Sequence, residues 1–479
     1  MKKSIFVISD LHLGGAPARD GKPSFQMCSP VGQARLAEFV RYVADQRSAG
    51  REIHLVLNGD IVDFLAEKEF SSFTIDDEAA RQKLDHIFAN TKDFWDTVAS
   101  YVETGSRLTL LLGNHDAELS LPLTRRLLLE RIGRGQITFL YDNEAFVEGP
   151  VLIEHGNRYD GWNVISHDAL REIRSALSRR EKPILYNGPA GSQVVFKIMN
   201  RLKAKYPFVD LLKPETAAVF PLLAVLDPSV ARDIPKFAVL AEKEARVKFD
   251  SNGIPVDVAN IAAPVHASKR DKQLIALADE LAGTGDLADI STTTKVRDLL
   301  TRLRDAVTGS AKTAVREAAT HLLYKAFRAF ADVHRQTFDV GHEDEDYLKP
   351  AKAAAQRGFQ VIVFGHTHTV KRIPLNEKGA RYLNCGTWAD LIKVPEAILT
   401  GNEAEAREQL SIFMDDMEHN NLTEWRVQIP TFARIDLDSD RVIACDVYFF
   451  DGPTAITPVP NGRITRFEHA NASTRSGTG

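Results

Sequence analysis

The chain has 479 residues, 44% hydrophobic and 26% charged, a globular composition that excludes disorder, collagen and coiled coil as descriptions of the whole. Sixty Lys and Arg against 65 Asp and Glu leave a net charge of -5, so attachment to nucleic acid through bulk charge is excluded and would require a local basic patch. Cys28, Cys385 and Cys445 are far apart and form no CxxC pair, which rules out a disulfide framework or a zinc ribbon.

Lys2, Lys3 and the apolar run 5–8 superficially suggest a signal peptide, but the run is short and ends at Asp10. No uninterrupted apolar stretch approaches the roughly 18 residues of a membrane span. The expectation is a cytoplasmic protein, at most peripheral to the inner face of a membrane. Strands are predicted at 4–9, 53–57, 108–112, 137–140, 145–147 and 151–154, and helices at 31–46 and 78–103. Short apolar runs bounded by turn residues suit strands buried on both faces. Residues 1–159 therefore read as the first part of a layered α/β core.

The texture changes at Asp160. Helical segments broken by seven prolines between Pro183 and Pro235 follow, and no strand is predicted before 349. Residues 161–330 carry 26 Lys and Arg against 19 Asp and Glu, a net +7 that leaves -12 for the rest of the chain. Residues 160–349 read as an inserted helical cap. Its apolar segments, Tyr206-Pro207-Phe208 and 219–223, fit either a subdomain with its own core or a lid facing a greasy substrate or a membrane. A helix at 349–357 and strands at 360–364, 381–384, 424–435 and 442–450 make 350–451 the second part of the core. Residues 452–479, rich in Pro, Gly, Ser and Thr, read as a flexible tail.

Five strand ends carry side chains able to bind metal. The first runs into Asp10-Leu11-His12, where alternate residues face the same way. The second ends at Gly59-Asp60-Ile61-Val62-Asp63, the third at Gly113-Asn114-His115-Asp116. Later strands end at His155-Gly156 and Gly365-His366-Thr367-His368. Any one of these is weak, since Gly-Asp is common and a lone His is usually structural. Five together, where an α/β sheet gathers its functional groups, are a strong signal. The other nine histidines, His54, His86, His266 and His321 among them, have no comparable setting and read as structural.

In this order the blocks DxH, GDxxD, GNHD, HG and GHxH resemble the calcineurin-like metallophosphoesterase superfamily, over residues 1–156 and again from 360 to about 450. The resemblance implies a four-layer αββα sandwich holding two divalent metal ions. Asp10, His12 and His368 would take one metal and Asn114, His155 and His366 the other, with Asp60 bridging. It further implies phosphoester hydrolysis by a metal-bridging hydroxide, with His115 a non-ligand catalytic residue at the scissile phosphate and Asp63 orienting it. Asp63 also suits a helix N-cap, as does Asp116, and Arg158 lies within reach of a substrate phosphate or a surface ion pair. Mixed N/O ligation makes Mn the first expectation, with Fe, Zn or Mg alternatives.

Phe64-Leu65 stands where the family's phosphoprotein phosphatases usually have Arg-Gly, and Asp116 where they have Glu. Ser9-Asp10-Leu11-His12-Leu13 looks most similar to the bacterial UDP-diacylglucosamine pyrophosphatases, which also carry a helical insertion but usually have arginine at the position of His115 and are far shorter. The expected substrate is a small phosphodiester or pyrophosphate, nucleotide- or lipid-linked. A nuclease using Lys203, Lys205, Lys269 and Arg270 is the alternative, although aromatics are not interleaved with these bases. A non-catalytic scaffold is the alternative of another class, and it should have lost the residues retained here.

Overall fold

The computed structural model describes residues 2–17, 24–48, 50–142, 145–213 and 331–465, with scattered positions between 222 and 328 and the pair 468–469. Strands β1 (Lys2–Ile8), β2 (Arg51–Asn58), β3 (Arg107–Leu111) and β4 (Gln136–Leu140) run parallel. Thr431–Asp438 pairs antiparallel with the free edge of β1, and Arg441–Phe450 and Ile456–Pro458 complete a seven-stranded sheet. The second sheet has five strands, in the order Val370–Pro374, Arg381–Cys385, Val361–Phe364, β6 (Val151–Glu154) and β5 (Ala145–Glu148).

Side-chain alternation assembles the layers. Phe6 and Ile8 of β1 and Leu55 and Leu57 of β2 pack with helices α1 (Pro30–Asp45), α2 (Asp77–Asn90), α3 (Lys92–Glu103) and α4 (Pro122–Ile132). Ile5, Val7 and Val56 point the other way, into a core shared with Val151, Ile153, Val361 and Val363 of the second sheet. The outer face of that sheet, Leu152, Ile362 and Phe364, is covered by Tyr347, Ala351 and Ala354 of the helix Glu345–Gln356. The architecture is an αββα sandwich in four layers.

Several expectations need correction. The helix predicted over 78–103 is two helices, because Thr91 leaves helical geometry at φ -125° while its hydroxyl donates to the Ile87 carbonyl at 2.6 Å. The strand predicted over 424–435 is likewise split. Pro430, which has no N–H for a ladder, separates Arg426–Gln428 from Thr431–Asp438, and the two belong to different sheets. The 17-residue helix Glu403–His419, capped by Asn402, was not foreseen.

Within the proposed cap, Leu212–Lys213 forms a short strand parallel to Leu391–Lys393, where no strand was expected. Tyr206 and Phe208 are buried with Leu410, Phe413 and Met417, so this apolar segment is core and presents no greasy face. Most of 214–330, including nearly all of 219–223 and both Lys269 and Arg270, lies outside the described residues. The segment after Gly452, expected to be flexible, begins with the paired strand Ile456–Pro458 and the buried Val459 and Ile464. Residues 470–479 lie outside those described.

Candidate metal centre

The loops at the carboxyl ends of β1, β2, β3, β6 and Val361–Phe364 converge. The first two are stitched together by backbone bonds, Asp10 N to Gly59 O at 3.2 Å and His12 N to Asp60 O at 2.9 Å. Asp10, His12, Asp60, His366 and His368 all have positive φ, between 45° and 68°. Five non-glycine residues in the left-handed region cost of order 1–3 kcal/mol each and persist only where the surroundings over-determine them, as at functional sites. Close approach needs glycine: a Cβ on Gly113 would lie 2.1 Å from Asp60 Oδ1, and one on Gly59 would lie 2.5 Å from the His155 ring.

The structure brings six of the seven expected metal-binding side chains together, and Asn114 lies between Gly113 and His115, whose backbones approach Asp60. Asp10, His12, Asp60 and His368 offer ligand atoms within 4.8 Å of one another, as do Asp60, His155 and His366, so Asp60 belongs to both sets. Nε2 of His12 and Nε2 of His368 are 2.9 Å apart, and His368 Nε2 is 3.3 Å from Asp10 Oδ1. Across the site His155 Nε2 is 3.3 Å from Asp60 Oδ2, and its Nδ1 is tied to the Asn58 carbonyl at 2.8 Å.

These residues fit a pair of divalent cations. Among the described residues Asn114 Oδ1 is buried without a hydrogen-bond partner, and the buried Asp10 Oδ1 and His155 Nε2 meet only another candidate ligand, at 3.3 Å, whereas buried polar atoms of native proteins are otherwise almost always satisfied. Burial opposes the charge on Asp60, yet His155 and His115 hold its carboxyl well below the ordinary range. Burial likewise opposes protonation of His155, but Asp60 and Asp10 push it up to about 10. Imidazole protons thus balance the carboxylates, and a divalent cation binds such a set by displacing them. Carboxylate, imidazole and amide donors suit Mn, Fe or Zn.

His115 and Asp63 lie beside this cluster. His115 N donates to Asp60 Oδ1 at 2.8 Å, and its Nδ1 lies 3.1 Å from Asp63 Oδ1. Burial would lower the His115 imidazole, but Asp63 and then Asp60 outweigh it and raise it to about 9. Asp63 Oδ1 also accepts from Leu65 N and Ala66 N at 3.1 and 3.3 Å, so one oxygen caps the short helix Phe64–Ala66 and holds the ring. His12, Asp63 and His115 also fall within metal-binding distance of one another, but the Asp63 oxygen nearest His115 is committed to that cap.

Asp116 caps nothing. Its two oxygens accept from Gly113 N at 2.6 Å and Ile61 N at 2.7 Å, locking the second and third loops together. Arg158 lies over the Tyr159 ring at 5.6 Å. Sequence reasoning missed Asp160 and Asn163. Asp160 Oδ2 is 3.0 Å from His366 Nε2 and 2.8 Å from Asn163 Nδ2, while Asn163 Oδ1 accepts from Asn114 Nδ2 at 3.4 Å. This chain links two of the candidate ligands through residues outside both candidate ligand sets, the arrangement that fixes ligand orientation in metal sites. The only signal was position, a carboxylate and an amide just past His155-Gly156. Lys203, paired with Asp210, is buried near enough to bear on Asp63 and His115, and Asn200 donates to Leu65 O at 2.9 Å, so the start of the insertion docks beside the site.

Residues 3–202 match the family model of the calcineurin-like phosphoesterases. The chain thus carries a calcineurin-like phosphoesterase domain, and with the buried Asp/His cluster this supports metal-dependent phosphoester hydrolysis. No curated protein matches the chain. No described helix is long and apolar enough to cross a membrane.

Proposed function

We propose that the protein hydrolyses a phosphodiester or pyrophosphate bond in a small nucleotide- or lipid-linked substrate, with Asp10, His12, Asp60 and His368 holding one metal and Asp60, Asn114, His155 and His366 the other. Mn is the metal we expect. Two such cations would activate water and clamp a phosphoryl oxygen. The observation that carries the reading is the Asp63–His115 pair. With Nδ1 held by Asp63, the ring presents Nε2, and its raised titration keeps a proton there near neutral pH. An alkoxide or phosphate leaving group needs that proton, and a positioned general acid supplies it.

Two further features support this bond type. Phe64 and Leu65 are buried in the helix-side core, so the position where phosphoprotein phosphatases usually have arginine supplies no cation for a dianionic monoester. Leu185 is 84% exposed and Ile184 and Phe196 are exposed too, on the segment between helix α5 (His167–Ser178) and Asn200. That apolar edge suits a lipid-linked substrate. The test is hydrolysis of bis-p-nitrophenyl phosphate and of p-nitrophenyl phosphate after chelation, with and without added Mn²⁺. Metal-dependent cleavage of the diester is expected; cleavage of the monoester alone would overturn the diester reading.

A further inference from the structure

A basic cleft has none of the candidate metal ligands in its lining. The cleft between α4 and α5 spans about 590 Å³ and is lined by Arg125, Tyr141, Arg171, Arg174 and two carboxylates, Asp142 and Asp168, among others. Its floor is unusual. Arg174 is only 9% exposed, its guanidinium lies 5.2 Å from the centre of the Tyr141 ring, and Arg125 lies over the same ring at 4.2 Å. Among the described residues no carboxylate comes within ion-pair distance of either arginine, and the buried Nη1 of Arg174 has no hydrogen-bond partner.

Basic helix faces are usually solvated, and part of this one is. Arg171 and Arg179 are exposed and answered by Asp168 and Glu181. Arg174 and Arg125 differ. Burying a guanidinium without a paired anion is costly; Asp142 offsets part of that cost from beyond ion-pair distance, and Arg125 and Arg171 add their repulsion to it. Packing on Tyr141 fixes the Arg174 fork in advance, which lowers the entropy lost when it grips a planar or tetrahedral anion.

We propose that this cleft is an anion site that takes a phosphate group of a small phosphorylated molecule, with Arg174 as its buried anchor and Arg125 closing it from the rim. Bidentate guanidinium contact is the chemistry that selects phosphate. Ser175, one residue on from Arg174, adds a hydroxyl to the lining. The phosphate could be a second one on the substrate or a free ion, and both would meet the same two guanidinium groups.

The test begins with calorimetric titration of the full-length protein, stripped with chelator, against inorganic phosphate and pyrophosphate. Saturable one-site binding is expected, weakened by roughly 10-fold or more in Arg125→Gln and in Arg174→Gln, the size of one charge-assisted hydrogen bond. Arg125 is the partly exposed member, so its variant keeps the test sound if Arg174→Gln fails to fold. No saturable binding, or wild-type binding by Arg125→Gln, overturns the proposal. So does tighter Arg125-dependent binding of a single-stranded oligonucleotide than of pyrophosphate, which would assign the cleft to nucleic acid. This stage uses no turnover, so its result is independent of which bond is hydrolysed.

The Mn-loaded protein then separates the two sources. If the phosphate belongs to the substrate, Arg125→Gln raises KM for a diester bearing a second phosphate and leaves bis-p-nitrophenyl phosphate unaffected. If free phosphate is the occupant, its effect on bis-p-nitrophenyl phosphate turnover is lost in Arg125→Gln. Identical behaviour of variant and wild type in both arms overturns the proposal.

Discussion

Asp63→Asn separates charge from geometry at the candidate acid. The three hydrogen bonds of Asp63, to His115 Nδ1, Leu65 N and Ala66 N, use the same oxygen, Oδ1, while the buried Oδ2 faces His12 Nδ1 at 4.0 Å. An asparagine carbonyl can accept all three, and Asn caps helices about as well as Asp. Once pH exceeds about 9 and His115 is neutral in both proteins, stability should therefore change by less than about 0.5 kcal/mol, while at lower pH the variant also loses the stability that the raised His115 titration supplies. What disappears is the negative charge that, with Asp60, raises His115 from the ordinary 6.5 to about 9. A general acid works in its protonated form, so activity falls as pH rises through its titration, and the variant should lose activity at lower pH than the wild type. The interval from 6.5 to about 9 bounds the displacement, because Asp60 remains. At pH 8 a ring titrating at about 9 is about nine-tenths protonated and one at 6.5 about 3%, so lost protonation alone costs at most about 30-fold at that pH. Bound metal ions lower the limb in both proteins, which makes the difference between them the quantity to read. The assay is kcat/KM for bis-p-nitrophenyl phosphate across pH with Mn²⁺, beside urea unfolding of both proteins. Superimposable basic limbs, or a destabilisation that persists undiminished as pH rises through about 9, would show that Asp63 acts as a cap and refute the reasoning.

Four other outcomes are expected. Asp60→Asn should lose bound metal and turnover together, measured by elemental analysis and diester hydrolysis, since its carboxylate is common to both ligand sets. His115→Ala should keep its metal content yet lose roughly 10²-fold in kcat, the size of a general acid's contribution; unchanged kcat would place that role elsewhere. Asp160→Ala should weaken metal binding by roughly 10- to 100-fold in calorimetric titration, because His366 loses the carboxylate that orients it, and intact affinity would reduce Asp160 to a loop residue. Burial, reinforced by Arg107 and Lys3, holds His54 down to about 3, so the folded protein keeps it neutral while the unfolded chain takes up a proton below about 6.5. Stability should therefore fall as pH drops from 6.5, by about 1.0 kcal/mol on reaching pH 5.5 from this residue. His54→Asn should show a shallower acid dependence in urea unfolding; an unchanged slope would exclude His54 as its source.

What could be read in the sequence was whatever the backbone repeats locally. Apolar runs ending in Gly-Asp, Gly-Asn-His or Gly-His marked the strand ends where Asp10, Asp60, Asn114, His155 and His366 now meet, because a buried strand and the turn after it are both short-range features. Asp160 and Asn163 escaped because their role exists only in three dimensions, through His366 and Asn114, and no local pattern distinguishes a bridging carboxylate from a turn residue. Asp116 misled for the same reason: its position before a helical turn suggested a cap, whereas its partners, Gly113 and Ile61, sit on two different loops. Whether Tyr206 and Phe208 were core or lid stayed open because Phe413 and Met417, which pack with them, lie some two hundred positions downstream.

The long-range pairing of β1 has a consequence for how the protein is made. Residues 2–8 find one of their two neighbours only at 431–438, and β6, already paired with β5, finds its other neighbour at 361–364, some two hundred residues further along the chain. During synthesis, His366 and His368 emerge long after Asp10, His12 and Asp60. Until they do, neither cluster has its full complement of imidazoles. A nascent or prematurely terminated chain therefore carries the early carboxylates without the means to grip metal firmly, and hydrolytic competence arrives as one of the last events of assembly.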